Sequence, residues 1–177
     1  MNRPQGTPRR RKTPATVRWL LGANGLLIAV TWMISGVEYG RLPAKIASWR
    51  SLWAAGLAAV DKSPAFFLYP AAQVAFFAAF LVLAELYFVG APEEGSETTP
   101  VDPDRAGRLR DLKEEAVSLA LIFINLIFIH LQTSLILLSR GIGTGINRPY
   151  ALMLVAVLLV LIPYYHIRRG TVLEKRH

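Results

Sequence analysis

AVSLALIFINLIFIHLQTSLILL, residues 116–138, runs for 23 positions without a charged side chain. An α-helix needs roughly 20 mostly apolar residues to cross the hydrocarbon core of a bilayer. The stretch shows no period-2 alternation, so it reads as a spanning helix and not as a strand of a barrel. A water-soluble helix would carry a charged face, and this one has none. Its polar residues are ordered all the same. Ser118, Asn125, Gln132 and, one step beyond, Ser139 fall seven apart. Seven residues make nearly two helical turns, so the four share one face. An amide turned to lipid would be desolvated and unpaired, hence this seam must meet protein or water.

Three further stretches, near residues 17–37, 64–91 and 149–165, are of the same kind. The chain of 177 residues is therefore read as all-α: an integral membrane four-helix bundle occupying residues 17–169, between a basic tail (1–16) and a short tail (170–177). Backbone polar groups at membrane depth must bond within the chain, which helices achieve. The first stretch is too long for the apolar part of a cleaved leader and no A-x-A site follows it, so it is expected to remain as an anchor. Cysteine is absent, which excludes disulfides, thiolate metal sites and thiol chemistry.

The net charge of +8 is unevenly placed. Four spans put both termini on one side, and the segments on that side hold 14 of the 20 lysines and arginines, against 6 in the other loops. The positive-inside rule then assigns both termini to the cytoplasm of a cell inner (plasma) membrane. Within the tail, Arg9, Arg10, Arg11 and Lys12 are read as a topology signal touching headgroups. Nucleic acid is not the expected partner; the lipid bilayer is. Pro4, Pro8 and Pro14 among polar residues predict disorder for residues 1–16.

Between the first two spans, Ile46, Trp49, Trp53, Leu57 and Val60 recur at steps of three or four. That spacing predicts an amphipathic helix over about 44–60, lying flat at the outer interface. Trp49 and Trp53 would anchor it, with the indole ring buried and its N–H wet. Residues 91–115 hold most of the acids and read as a solvated connector whose second half extends the third helix. The run Gly141–Pro149 reads as a tight reversal. It lacks the strand–helix context and lysine of a phosphate-binding loop.

Inside the spans, Gln73 lies at nearly the same depth as the middle of the seam and is predicted to contact Gln132 or Asn125. Pro70 is expected to kink the second helix near its outer end. Asn24, near Gly22 and Gly25, reads as a helix–helix contact. Glu85 lies close to the cytoplasmic boundary, within reach of Lys113 or Arg110. His130 sits near the middle of the bilayer, off the seam. It is the one candidate cofactor ligand, for haem or quinone, and the simpler reading is an imidazole hydrogen-bonded between helices. His166 lies near the other end of its span, too far away in depth to share an iron.

No constellation of acid, base, nucleophile or metal ligand stands out, so the sequence leans away from an enzyme. The expected role is a non-catalytic accessory or partner-binding subunit of a larger membrane complex, in contact with other membrane subunits or with copies of itself. Two alternatives stand beside it. One is a small self-associating channel or transporter lined by Asn125, Gln132 and Gln73; the other is an electron-transfer subunit using His130.

Overall fold

A computed structural model describes residues 14–53, 58–84, 103–143 and 145–174. The basic cluster Arg9–Lys12, Glu85 and the end of the expected second span lie outside these residues.

Four long helices make up most of the molecule: α1 (Ala15–Arg41), α2 (Leu68–Ala84), α3 (Pro103–Ser139) and α4 (Arg148–Glu174). Four helical stretches are long and apolar enough to cross a membrane: Ala15–Arg41, Pro64–Leu83, Gly107–Ser139 and Arg148–Thr171. Helix α3 spans 37 residues, about 55 Å at 1.5 Å per residue. That exceeds the ~30 Å hydrocarbon thickness, and the excess is the charged segment preceding Ala116. One turn of it is bridged by Arg110 Nε to Glu114 at 2.8 Å.

The α3 helix is the central one. It packs against α1, α2 and α4, whereas α4 packs chiefly against α3. Accordingly 39% of the apolar window of α3 is buried, against 6% for α4. Helices α1 and α3 run parallel: Asn24 bonds the Ser118 carbonyl near one end, and Glu38 pairs with Arg140 near the other. Helices α2 and α4 run antiparallel to α3. Phe76 meets Phe128 while Tyr69 lies in the cluster of Leu131 and Leu135; Tyr150 meets His130 while Arg168 reaches Glu115.

The distribution of polarity is inverted relative to a water-soluble bundle. The buried residues of α1 are Val17, Asn24, Thr31 and Ser35, while Trp19, Leu26 and Met33 are 80%, 65% and 64% exposed. Such a helix hides its polar face and displays its apolar one. Lipid favours that arrangement, because it offers amides and hydroxyls no hydrogen bond.

Among the described residues, 44–53 and 58–60 do not form the amphipathic helix that their spacing suggests. The described part is a small lobe made of two two-residue strands, β1 (Lys45–Ile46) and β2 (Val60–Asp61), and a 3-10 turn (Trp49–Leu52). The strands pair antiparallel, Lys45 opposite Asp61 and Ile46 opposite Val60. Ser48 starts the turn, its hydroxyl accepting from the Ser51 N–H at 3.3 Å, a cap that competes with a longer helix. The expected stripe is not one face either: Ile46 is buried, but Trp49, Trp53 and Val60 are exposed, and the second buried residue is Leu52.

The lobe caps one end of the bundle. Leu42, Ile46, Leu52, Phe66, Tyr69, Leu131, Leu135 and Ile136 form the hydrophobic core beneath it. The chain enters α2 through a 3-10 turn, Pro64–Phe67, whose Phe66 and Phe67 pack on Tyr39 of α1 with ring centroids 5.4 and 5.1 Å away. Pro70 falls in the first turn of α2, where the N–H it lacks would have no intrahelical acceptor. It therefore sits where the 3-10 turn passes into the α-helix. Pro163 lies well inside α4.

Helix α3 ends at a glycine cap. Gly141 has φ +71°, its N–H bonds the Leu138 carbonyl, and the Ile142 N–H bonds that of Leu137, both at 3.0 Å. This is the Schellman pattern, which satisfies carbonyls left over at a helix end.

Candidate functional site: the buried polar seam

The polar face of α3 packs against the polar face of α1, with Gln73 of α2 closing the third side. Asn24, Gln73 and Ser118 are fully buried, and Asn125 and Gln132 are 1% exposed. The centre is an amide pair: Asn125 Nδ2 donates to Asn24 Oδ1 at 2.7 Å. Asn24 Nδ2 in turn donates to the Ser118 carbonyl of α3 at 3.0 Å and to the Leu20 carbonyl of its own helix at 2.9 Å. Gln73 Nε2 donates to the backbone carbonyl of Asn125 at 3.0 Å. Asn125 thus joins three helices, its side chain serving α1 and its carbonyl serving α2. Hydrogen bonds of this kind contribute about 0.6 kcal/mol each on average between helices in lipid. They also set register, since a shift by one residue would separate Asn24 from Asn125 and from the Ser118 carbonyl.

The seam changes character toward the lobe. Thr31 satisfies itself by donating to the Leu27 carbonyl one turn back, at 2.8 Å. Ser35 Oγ, both amide atoms of Gln132, Gln73 Oε1 and Ser118 Oγ are buried without a hydrogen-bond partner among the described residues. The Gln132 amide is therefore buried without a protein partner among the described residues, in a part of α3 where Leu131, Ser134, Leu135 and Ile136 are buried as well. Ser139, the last of the seven-residue series, does not join another helix. Its hydroxyl accepts from the Ala47 N–H at 3.1 Å and so ties the lobe to the end of α3.

Two residue sets stand apart from the seam. His130 points toward α4, its ring meeting Tyr150 edge-on with centroids 4.8 Å apart, and its Nε2 is buried without a partner among the described residues. His166 lies 16 residues beyond Tyr150 on α4, about 24 Å along the axis, so the two imidazoles do not face each other. Among the described residues no group of three or more His, Asp or Glu side chains could hold a metal ion. Trp49 and Trp53 sit on the lobe, exposed.

Asn24, Thr31 and Ser35 are the half of the seam that sequence reasoning left undeveloped. The signal was present: Asn24 and Thr31 are themselves seven apart in an apolar run. At the lobe end, Glu38 of α1 pairs with Arg140 beyond α3, and Arg41 lies 3.9 Å from the same carboxylate.

The chain matches no protein-family model, and no curated protein or solved structure is recognisably similar to it.

Proposed function

We propose that the chain is a non-catalytic, partner-binding subunit of a larger complex in the cell (plasma or inner) membrane, with both termini in the cytoplasm. The observation that carries this reading is the closure of the seam. The Asn24 and Asn125 amides and Gln73 Nε2 are spent on contacts among α1, α2 and α3 of one chain, so these groups hold the subunit together and are not presented to a shared lumen. What the molecule offers to others is an apolar outer surface, a charged helical extension of α3 and a cationic lobe. Those are surfaces for association. Extraction from native membranes in a mild detergent, followed by native mass spectrometry, should show the chain with stoichiometric companions. A solitary monomer would overturn the reading.

One observation favours a second function. Gln132 and Ser35 are buried and unpaired in the same half of the seam, which suits a hydrated path within a single chain better than one formed by self-association. Proteoliposomes should then pass water or ions, and Gln132→Leu should abolish the flux. Wild-type protein that conducts nothing disposes of this reading.

A further inference from the structure

The lobe end of the bundle carries more positive charge than its own acids can balance. Between Glu38 and Ser63 and between Ser139 and Pro149 the chain has Arg41, Lys45, Arg50, Lys62, Arg140 and Arg148 against Glu38 and Asp61. Glu38 is taken by Arg140 and Arg41. Asp61 stands opposite Lys45 in the strand pair. Lys62 turns inward, with Nζ 4.5 Å from the centre of the Tyr39 ring and bonded to the Leu42 carbonyl at 3.2 Å. Arg50 and Arg148 remain, and neither has a carboxylate partner among the described residues.

Each of these two arginines stands on the rim of a cleft, and the clefts share one design. The first, of about 320 Å³, has Val60 and Ala65 as its exposed apolar lining above the buried Ile46, Phe66 and Leu135, with Trp49 and Arg50 beside them. The second, of about 350 Å³, places Arg148 and Trp53 beside Leu52, Ile146 and Leu152. One guanidinium, one indole and an apolar wall recur in both, on the two sides of the Trp49–Leu52 turn. Both volumes lie at the small end of the range for ligand sites. They open at the end of the bundle where α1 and α3 finish and α4 begins, which is headgroup level for helices that span. A free anion would gain little from so apolar a wall, and a wholly apolar ligand would have no use for the arginine. An amphiphile uses both: a phosphate accepts from the guanidinium, and an acyl chain covers the wall.

We propose that the two clefts bind anionic phospholipids, with headgroup phosphates on Arg50 and Arg148 and acyl chains against Val60 and Ala65 in one cleft and Leu152 in the other. The lipids complete the cationic lobe and seat it on the membrane surface. This needs only that the four helices span a bilayer, and is independent of any companion subunit.

The tryptophans report on the test. The chain has four, so full-length protein carrying Trp19→Phe, Trp32→Phe and Trp53→Phe fluoresces from Trp49 alone, and the set with Trp49→Phe in place of Trp53→Phe from Trp53 alone. Each is reconstituted in phosphatidylcholine vesicles containing a minor fraction of brominated phosphatidylglycerol or, separately, brominated phosphatidylcholine, whose chains quench indoles on contact. Juxtamembrane cations favour anionic lipid by about fivefold per arginine or lysine. Both reporters should therefore be quenched with an apparent preference of that size for the anionic lipid. Arg50→Gln should remove the preference at Trp49, and Arg148→Gln at Trp53. Lys45→Gln, on the same lobe but lining neither cleft, should leave both unchanged. Far-UV circular dichroism checks that each variant is folded. Equal quenching by the two lipids overturns the proposal, as does a loss with Lys45→Gln as large as with the arginine variants. Relief of quenching by excess glycerol phosphate in the buffer would also overturn it, because the site would then recognise a soluble phosphate.

Discussion

Asn24 and Gln132 are amides in the same seam, equally buried, yet replacing each by leucine should move stability in opposite directions. Asn24 makes two bonds to α3, one to the Ser118 carbonyl and one from Asn125 Nδ2. At about 0.6 kcal/mol per interhelical bond in lipid, the pair accounts for about 1.2 kcal/mol. Asn24→Leu also leaves the Asn125 amide, 1% exposed, without its acceptor, adding about 1 kcal/mol. The expected loss is about 2 kcal/mol. Gln132→Leu removes an amide with no protein partner at either end among the described residues and puts an apolar group of similar size in its place. The outcome should lie between no change and a gain of about 1 kcal/mol. The double variant Asn24→Leu/Asn125→Leu should cost less than the sum of its singles, because neither amide is then stranded. Reversible unfolding in mixed micelles of lipid-like detergent and dodecyl sulfate, followed by circular dichroism, reads all four. A loss of more than 1 kcal/mol for Gln132→Leu would refute the reasoning, since it would mean that the amide is satisfied in the membrane. A neutral Asn24→Leu would refute the other half.

Other outcomes follow from the same geometry. Glu38→Gln should destabilise by about 0.5–1 kcal/mol, allowing for the partial exposure of the pair, and the loss should shrink at high salt; thermal melts at two ionic strengths check this. Gly141→Ala forces a side chain into a left-handed backbone at the α3 cap, at about 1–2 kcal/mol. Gly22→Ala, whose added methyl would meet nothing within 4 Å, should be neutral or stabilising in the same melts. Cysteines placed at residues 5 and 175 of this cysteine-free chain should be labelled by an impermeant maleimide only after spheroplasts are opened; labelling of either in intact spheroplasts would contradict the proposed topology. Purified protein showing a Soret band that disappears in His130→Ala would turn the functional reading toward electron transfer.

The long apolar helices were legible because lipid imposes a crude requirement, an uncharged run of sufficient length, and residues 116–138 meet it. Gln73 stood out for the same reason, an amide in an otherwise apolar helix, and it donates to the Asn125 carbonyl. The lobe was not legible. Two strands of two residues are too short to show alternation, and the spacing of Ile46, Trp49 and Trp53 imitates a helical stripe. What decides the conformation there is tertiary: Ile46 and Leu52 are drawn into the core with Phe66 and Leu135, and the Ala47 N–H is drawn to Ser139. Which amides would pair was equally hidden. Depth counting places Gln73 beside the middle of the α3 seam but cannot tell a side-chain partner from a backbone carbonyl, and it cannot show that Gln132 has none. The parallel alignment of α1 with α3, which brings Asn24 between Ser118 and Asn125, depends on the packing of all four helices.

From Arg108 to Ser139 the sequence of α3 contains neither glycine nor proline, while α4 carries Pro163 and α1 carries Gly22, Gly25, Gly36 and Gly40. The central member is thus the stiff one, and its neighbours are those able to flex. It is fastened where its apolar part begins, through Glu115 to Arg168, and at its lobe end, through Ser139 to the Ala47 N–H. A tilt imposed on the lobe therefore has no joint in which to dissipate. A perturbation that tilted the lobe end of α3 would then be carried along the helix to its charged segment with little bending.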